Sequence, residues 1–215
     1  MERARFIQSA TQLRPLALVP ELSLYQASDI YAVWELTEQA TGQAGLAPPF
    51  WGVAWPGGQA LARFLLDHPD LVAGRSVLDV GSGSGLVALA AERAGAAVSA
   101  VEPDDLAAAA MELNAAANGL PVPLRLTDIA AAGRTDVVVA GDVWYEKALA
   151  ALVTGYLTAV TKAGSLVLAG DIGRRYFPRR DFEPLACYQL PTTIALEGRE
   201  SISATVWRPA WQSQP

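Results

Sequence analysis

Gly81, Gly83 and Gly85 alternate through VLDVGSGSGLVALA, directly after an apolar run and directly before a stretch with helical spacing. Glycines placed this way let a chain turn sharply and let a ligand approach the backbone closely. A helix opening behind such a turn favours a negative ligand group. Two carboxylates frame the turn. Asp79 lies two residues before the first glycine, and Glu102 ends the next apolar run, AVSAVE. An acid in the second position can grip both hydroxyls of a ribose. A third carboxylate, Asp142, closes DVVVAGD and is followed by Trp144 and Tyr145. A carboxylate and two aromatics just past a buried strand are either turn punctuation or the rim of an active site.

The glycines alone do not choose a ligand. Read as GxGxG they suit a methyltransferase; in the register of Gly83, Gly85 and Ala88 they also pass the dinucleotide pattern GxGxxA. Asp79 discriminates, because a carboxylate there repels a nearby pyrophosphate and suits an ammonium. S-adenosylmethionine carries an ammonium and a sulfonium and no phosphate. A nicotinamide-dinucleotide oxidoreductase remains the alternative from another class.

The elements that must position these groups follow from periodicity. Ser28-Asp29 caps a helix expected through about Thr41, and QALARFLLDH forms a second helix that ends at Pro69, with His68 as a helix-end residue. From residue 76, strands (SVLDV, AVSAVE, PLRLTDI, TDVVVAGDV, SLVLAG) alternate with helices (GLVALAAERAG, DLAAAAMELNAAANG, KALAALVTGYLTAVT). Such alternation implies an α/β fold with a mostly parallel sheet and helices on both faces. The runs from ACYQLPTTIALEG to ESISATVWRP lack a full helix between them and predict a C-terminal antiparallel hairpin at the sheet edge. Residues 1–45 are expected to form a helical extension packed on a domain spanning 46–215.

The chain has 215 residues, and its 52% hydrophobic content is ample for one core. With a single cysteine, Cys187, and a single histidine, His68, neither a Cys/His zinc site nor a Ser-His-Asp triad is expected, and no metal is expected. The net charge of −6 and the lack of a basic cluster beyond Arg174, Arg175, Arg179 and Arg180 argue against nucleic acid. Those arginines read either as a solvated loop or as a contact for an acidic ligand, and Asp171 with Arg174 either shapes a substrate-side loop or only a turn. No apolar run reaches membrane-spanning length, and Pro15 and Pro20 interrupt any signal-peptide core, so the cytoplasm is the expected location.

VLDVGSGSG, AVEPD, LTDI and DVVVAGDVWYE resemble the successive motifs of the seven-β-strand, S-adenosylmethionine-dependent methyltransferases, a Rossmann-like fold. FW…AWPGGQALA, the DxxY of Asp142 to Tyr145, GDIGR (170–174) and TVW (205–207) narrow the resemblance to the electron transfer flavoprotein β-subunit lysine methyltransferase family. That resemblance implies S-adenosylmethionine as cofactor, S-adenosylhomocysteine as product and the flavoprotein β subunit as partner. It lays Asp79, Gly81, Ser82, Gly83 and Gly85 along the methionine part of the donor and puts Glu102 and Pro103 at the ribose. Asp128 and Ile129 would flank the adenine, and Gly141 and Asp142 would end a strand beside the methyl group. Asp142, Trp144 and Tyr145 would be the catalytic residues, with the aromatics lining a lysine channel. Trp51 and Trp55 would cover the cofactor or form the channel's lip. The family often reads D-x-F-Y; here Trp144 holds the Phe position, which leaves a small-molecule or ribosomal-protein N-methyltransferase of the same fold as an alternative.

Overall fold

A computed structural model describes residues 3–212. The chain opens with α1 (Arg3–Ala10), β1 (Gln12–Pro15), β2 (Ser23–Gln26) and α2 (Ile30–Thr41). A 3-10 turn at Phe50–Gly52 leads into α3 (Pro56–Asp67). Then come β3 (Ser76–Val80), α4 (Leu86–Arg93), β4 (Ala97–Val101), α5 (Asp105–Ala117), β5 (Leu124–Leu126) and β6 (Val137–Gly141). The chain finishes with α6 (Lys147–Lys162), β7 (Leu166–Asp171), β8 (Phe182–Pro191), a short α7 (Ile194–Glu197) and β9 (Ser201–Pro209).

Seven strands form one sheet in the order β5-β4-β3-β6-β7-β9-β8. β3 to β7 are mutually parallel, while β9 runs antiparallel to both β7 and β8. The central strand β6 is VVVAG with its first four residues buried, as expected for a strand covered on both faces. Alternation sorts its side chains. Val137 and Val139 pack with Leu168 against α3 and α4, whereas Val138 and Ala140 pack with Val167 and Ala169 against α6.

The amino-terminal segment differs from the helical extension expected. Asp29 does cap a helix that runs to Thr41, but β1 and β2 pair as an antiparallel ribbon ahead of it. Burial of Leu16, Val19, Leu22 and Leu24 against α3 and α4 outweighs the weak local preference. The ribbon is also tied to the glycine turn. Asn114 of α5, fully buried, accepts from Tyr25 N and donates through Nδ2 to Ser84 O.

Two pairs of glycines set the position of α3. A Cβ on Gly57 would lie 2.5 Å from Gly170 O, and one on Gly141 would lie 3.0 Å from Gly58 Cα. The first turn of α3 therefore rests directly on the carboxyl ends of β6 and β7, a closeness only glycine permits.

Candidate active site

β3 has β4 on one side and β6 on the other, so successive connections leave this point in opposite directions. Such a switch point opens a crevice at the carboxyl ends of the strands. A cavity of about 380 Å³ lies there.

One half is built by the glycine turn. Gly81, Gly83 and Gly85 have φ values of 71°, 54° and 82°, all left-handed. Gly81, Ser82 and Gly83 line the cavity with Asp79, Glu102 and Pro103. Glu102 Oε2 accepts from Gly83 N at 2.8 Å and Oε1 from Asp104 N at 2.9 Å, which locks the turn to the end of β4. Asp79 Oδ2 accepts from Ser82 Oγ at 2.6 Å and from Ala88 N at 3.1 Å. Burial pushes the Asp79 carboxyl up to about 6; those two bonds oppose the rise and the charge of Glu102 adds to it. Burial likewise raises Glu102, against its two backbone bonds. Trp51 also lines the cavity, and its buried indole N–H has no partner among the described residues.

The other half surrounds Asp142. It is the one non-glycine residue with positive φ among the described residues, at 56°. Its backbone N donates to Gly170 O, its Oδ2 accepts from Gly58 N at 2.8 Å, and its Oδ1 accepts from Arg174 Nε at 3.0 Å. Burial pushes its carboxyl up to about 6, against the pull of the Arg174 guanidinium; Asp171 adds to the rise and the Gly58 bond opposes it. Phe50, Trp55 and Tyr145 form an aromatic rim. The ring centroids of Phe50 lie 5.0 Å from Tyr145 and 5.9 Å from Trp55, and the Arg174 guanidinium stacks 5.3 Å above Trp55.

Four residues expected at the site lie elsewhere. Trp144 is fully buried on the α6 face of the sheet, its Nε1 donating to Thr154 Oγ1 and its ring set against Phe177 at 4.9 Å. It cannot wall a channel from there. Asp128 caps a 3-10 turn through Ala130 N and is exposed, while Ile129 packs toward the α6 face; neither lines the cavity. Gly85 serves packing, since a Cβ on it would lie 2.7 Å from Met111 Cγ. Of the two readings of Arg174, the solvated one does not hold: its side chain is 17% exposed and faces the cavity. Phe50 joins the rim through the PFWGVAW segment. Both lie in stretches that carry the resemblance, FW…AWPGGQALA and GDIGR, but neither stretch shows by itself that its Phe or Arg would meet Asp142 or Tyr145.

Residues 60–178 match the family model described as ribosomal protein L11 methyltransferase (PrmA). The electron transfer flavoprotein beta subunit lysine methyltransferase of Danio rerio is 39% identical over 202 residues, covering 89% of this chain and 77% of its own. That of Xenopus laevis is 35% identical over 211 residues, covering 94% and 85%. A ribosomal protein L11 methyltransferase of Thiobacillus denitrificans is 42% identical over 108 residues, covering 49% and 36%. Among solved structures, the Thermus thermophilus 16S rRNA N2 G1207 methyltransferase in complex with AdoMet and guanosine superposes with a TM-score of 0.54 at 17% identity, covering 93% of this chain and 50% of its own. The fold and the site together define an S-adenosylmethionine-dependent methyltransferase with a Rossmann-like, seven-stranded sheet. The dinucleotide oxidoreductase alternative falls with that finding. The chain belongs to the PrmA-like methyltransferases and, among them, to the electron transfer flavoprotein beta subunit lysine methyltransferase family.

Proposed function

We propose that this enzyme methylates lysine side chains of a protein substrate, the electron transfer flavoprotein β subunit, in the cytoplasm and without nucleic acid. The observation that carries the reading is the buried Asp142 carboxylate lining the donor cavity together with the rim of Phe50, Trp55 and Tyr145.

The residues present suit the donor. At the glycine turn the carboxylates of Asp79 and Glu102 meet, and among the described residues the basic side chain lining the cavity, Arg174, is paired with Asp142 on the other half, which fits an ammonium and ribose hydroxyls and disfavours phosphate. Asp79 and the glycine turn would hold the methionine part, and Glu102 with Pro103 the ribose. When bound, S-adenosylmethionine supplies an electrophilic methyl group on a sulfonium.

The protein's own contribution is to deliver a neutral, aligned amine. A free lysine has a pKa of about 10.4, so the amine must lose its proton before it can attack. Desolvation by the aromatic rim lowers that pKa. Asp142, fixed by two bonds, accepts a hydrogen bond from the amine and orients its lone pair; positioning of this kind accounts for much of the barrier reduction in a two-body displacement. The aromatic faces tolerate methylated ammonium by cation–π attraction, on the order of 0.5–2 kcal/mol, so repeated methylation is compatible with the rim.

The test is transfer of labelled methyl groups from S-adenosylmethionine to purified flavoprotein β subunit, to ribosomal protein L11 and to a metabolite extract, with Asp142→Ala as control. Label on lysines of the flavoprotein alone supports the proposal. Label on L11 or on metabolites, with none on the flavoprotein, replaces the substrate.

A further inference from the structure

We propose that Arg174 is a positioning residue for methyl transfer: it aims the Asp142 carboxylate, keeps it ionised and partly neutralises it, so that an entering amine meets an acceptor with a muted negative charge. The inference rests on the lysine reading above for its kinetic consequence and on geometry alone for the state of Asp142.

Arg174 is held at several points. Its backbone N donates to Asp171 Oδ1 at 2.7 Å, Nε donates to Asp142 Oδ1 at 3.0 Å, and Nη2 donates to Glu197 Oε1 at 3.0 Å. The face of the guanidinium lies over Trp55. A planar fork fixed on three sides cannot swing away, and lysine could not reproduce it. The partners are buried too, with the side chains of Asp142 and Glu197 exposed by only 5% and 8%.

The charges facing Asp142 come from few elements. Arg174 and Asp171 approach from the end of β7, Glu197 stands behind Arg174 on α7, and the uncharged Tyr145 lies on its own loop. The first turn of α3, Pro56–Gly58, contributes an N–H and no charge. Among the described residues, Arg174 is thus the cation in direct contact with Asp142. A bare carboxylate beside an amine stabilises the ammonium, the unreactive form. A carboxylate already paired keeps its acceptor role with less of that pull. Pairing also opposes protonation of Asp142 itself. Removing the guanidinium therefore moves both ionisations upward, and the activity profile moves to higher pH.

The experiment compares wild type, Arg174→Gln and Arg174→Lys by pH profiles of methyl transfer to the flavoprotein β subunit at saturating donor. In parallel, the Asp142 carboxyl is followed by carbon NMR on selectively labelled protein without substrate. Arg174→Gln is expected to lose roughly 10-fold in kcat at neutral pH for each unit by which the profile moves, and to recover much of it at alkaline pH. Arg174→Lys, which keeps the charge but not the fork, is expected to fall between. The Asp142 resonance should titrate at higher pH in Arg174→Gln, and binding of S-adenosylhomocysteine serves as the check of folding. An unmoved Asp142 titration in Arg174→Gln, or an equal loss of turnover at every pH, overturns the assignment. If wild type transfers no methyl to the flavoprotein, the substrate reading fails, and the titration still decides the role of Arg174. If Arg174→Gln does not fold, Arg174→Lys and Glu197→Gln give the same two readouts, and an unmoved Asp142 titration in both overturns the assignment.

Discussion

The Oδ2 atom of Asp142 accepts a hydrogen bond from the backbone N–H of Gly58 at 2.8 Å, across 84 residues of sequence. The bond places the carboxylate at the amino end of α3, where the helix dipole favours negative charge. It also holds Asp142 in a left-handed conformation, φ 56°, that a non-glycine residue adopts only at a cost. Strain and chemistry can be separated. Asp142→Gly relieves the backbone and removes the carboxylate, whereas Asp142→Ala removes the carboxylate and keeps the strain. Both are expected to lose turnover by on the order of 10²–10⁴-fold, with S-adenosylhomocysteine affinity changed only a few-fold. The glycine variant should melt no lower than the alanine variant. Full turnover in either would remove Asp142 from the mechanism.

The contact between α3 and the sheet leads to a second expectation. A Cβ on Gly57 would lie 2.5 Å from Gly170 O and 2.6 Å from Asp142 Oδ2. Since the neighbour is backbone, Gly57→Ala must push α3 outward and carry Asp142 with it. A loss of about 1–3 kcal/mol in stability is expected, together with a fall in kcat. Gly155, inside α6, has nothing within 4 Å of a Cβ, so Gly155→Ala should instead stabilise by roughly 0.5–1 kcal/mol. Denaturant melts of the two variants check the contrast, and equal behaviour would contradict the close approach.

The part of the cavity around Asp79, Gly81 to Gly83 and Glu102 could be read as one cluster because its signals are local, whereas Asp128 and Ile129, expected at the adenine, lie away from it. The glycine turn, Asp79 and Glu102 fall within one βαβ unit, and each sits where that unit's geometry requires. The rim was less legible because it forms from distant segments. Arg174 reaches Asp142 only once β7 lies beside β6, and Phe50 reaches Tyr145 only once the loop before α3 folds over the turn. Trp144 was misplaced. Its channel role came from the resemblance alone, whereas alternation through Val138 and Ala140 already points residue 144 to the α6 face, and the left-handed Asp142 takes its carboxylate off that face to Gly58. Trp144 then enters the core, and Tyr145 turns to the cavity.

That divergence predicts opposite phenotypes for adjacent aromatics. Trp144→Phe loses the bond to Thr154 and leaves space beside Phe177, so stability should fall by about 1–3 kcal/mol while KM for the protein substrate stays within about two-fold. Tyr145, 47% exposed, should behave the other way. Tyr145→Ala is expected to raise KM or lower kcat with little change in melting temperature. A Trp144→Phe enzyme that stays fully stable and changes its substrate preference would restore Trp144 to the channel.

The last expectation concerns Asp79 and pH. Its carboxyl is raised from 3.8 to about 6 in the folded protein, chiefly by burial. For an acid whose folded value lies above the unfolded one, the associated stability is complete below about 3.8 and is lost as pH rises through about 6. The difference between 3.8 and about 6 corresponds to on the order of 3 kcal/mol. Asp79→Asn keeps an oxygen that accepts from Ser82 and Ala88 but carries no charge to bury. Relative to wild type, the variant should therefore gain stability between pH 4 and pH 8, level off above about pH 6, and bind the donor more weakly at pH 8. Urea unfolding at both pH values, with calorimetry for the donor at the higher one, measures each part. Parallel stability curves for the two proteins would show that Asp79 is not a buried charge in the donor-free protein. Unchanged donor affinity would show that its carboxylate does not meet the donor's ammonium.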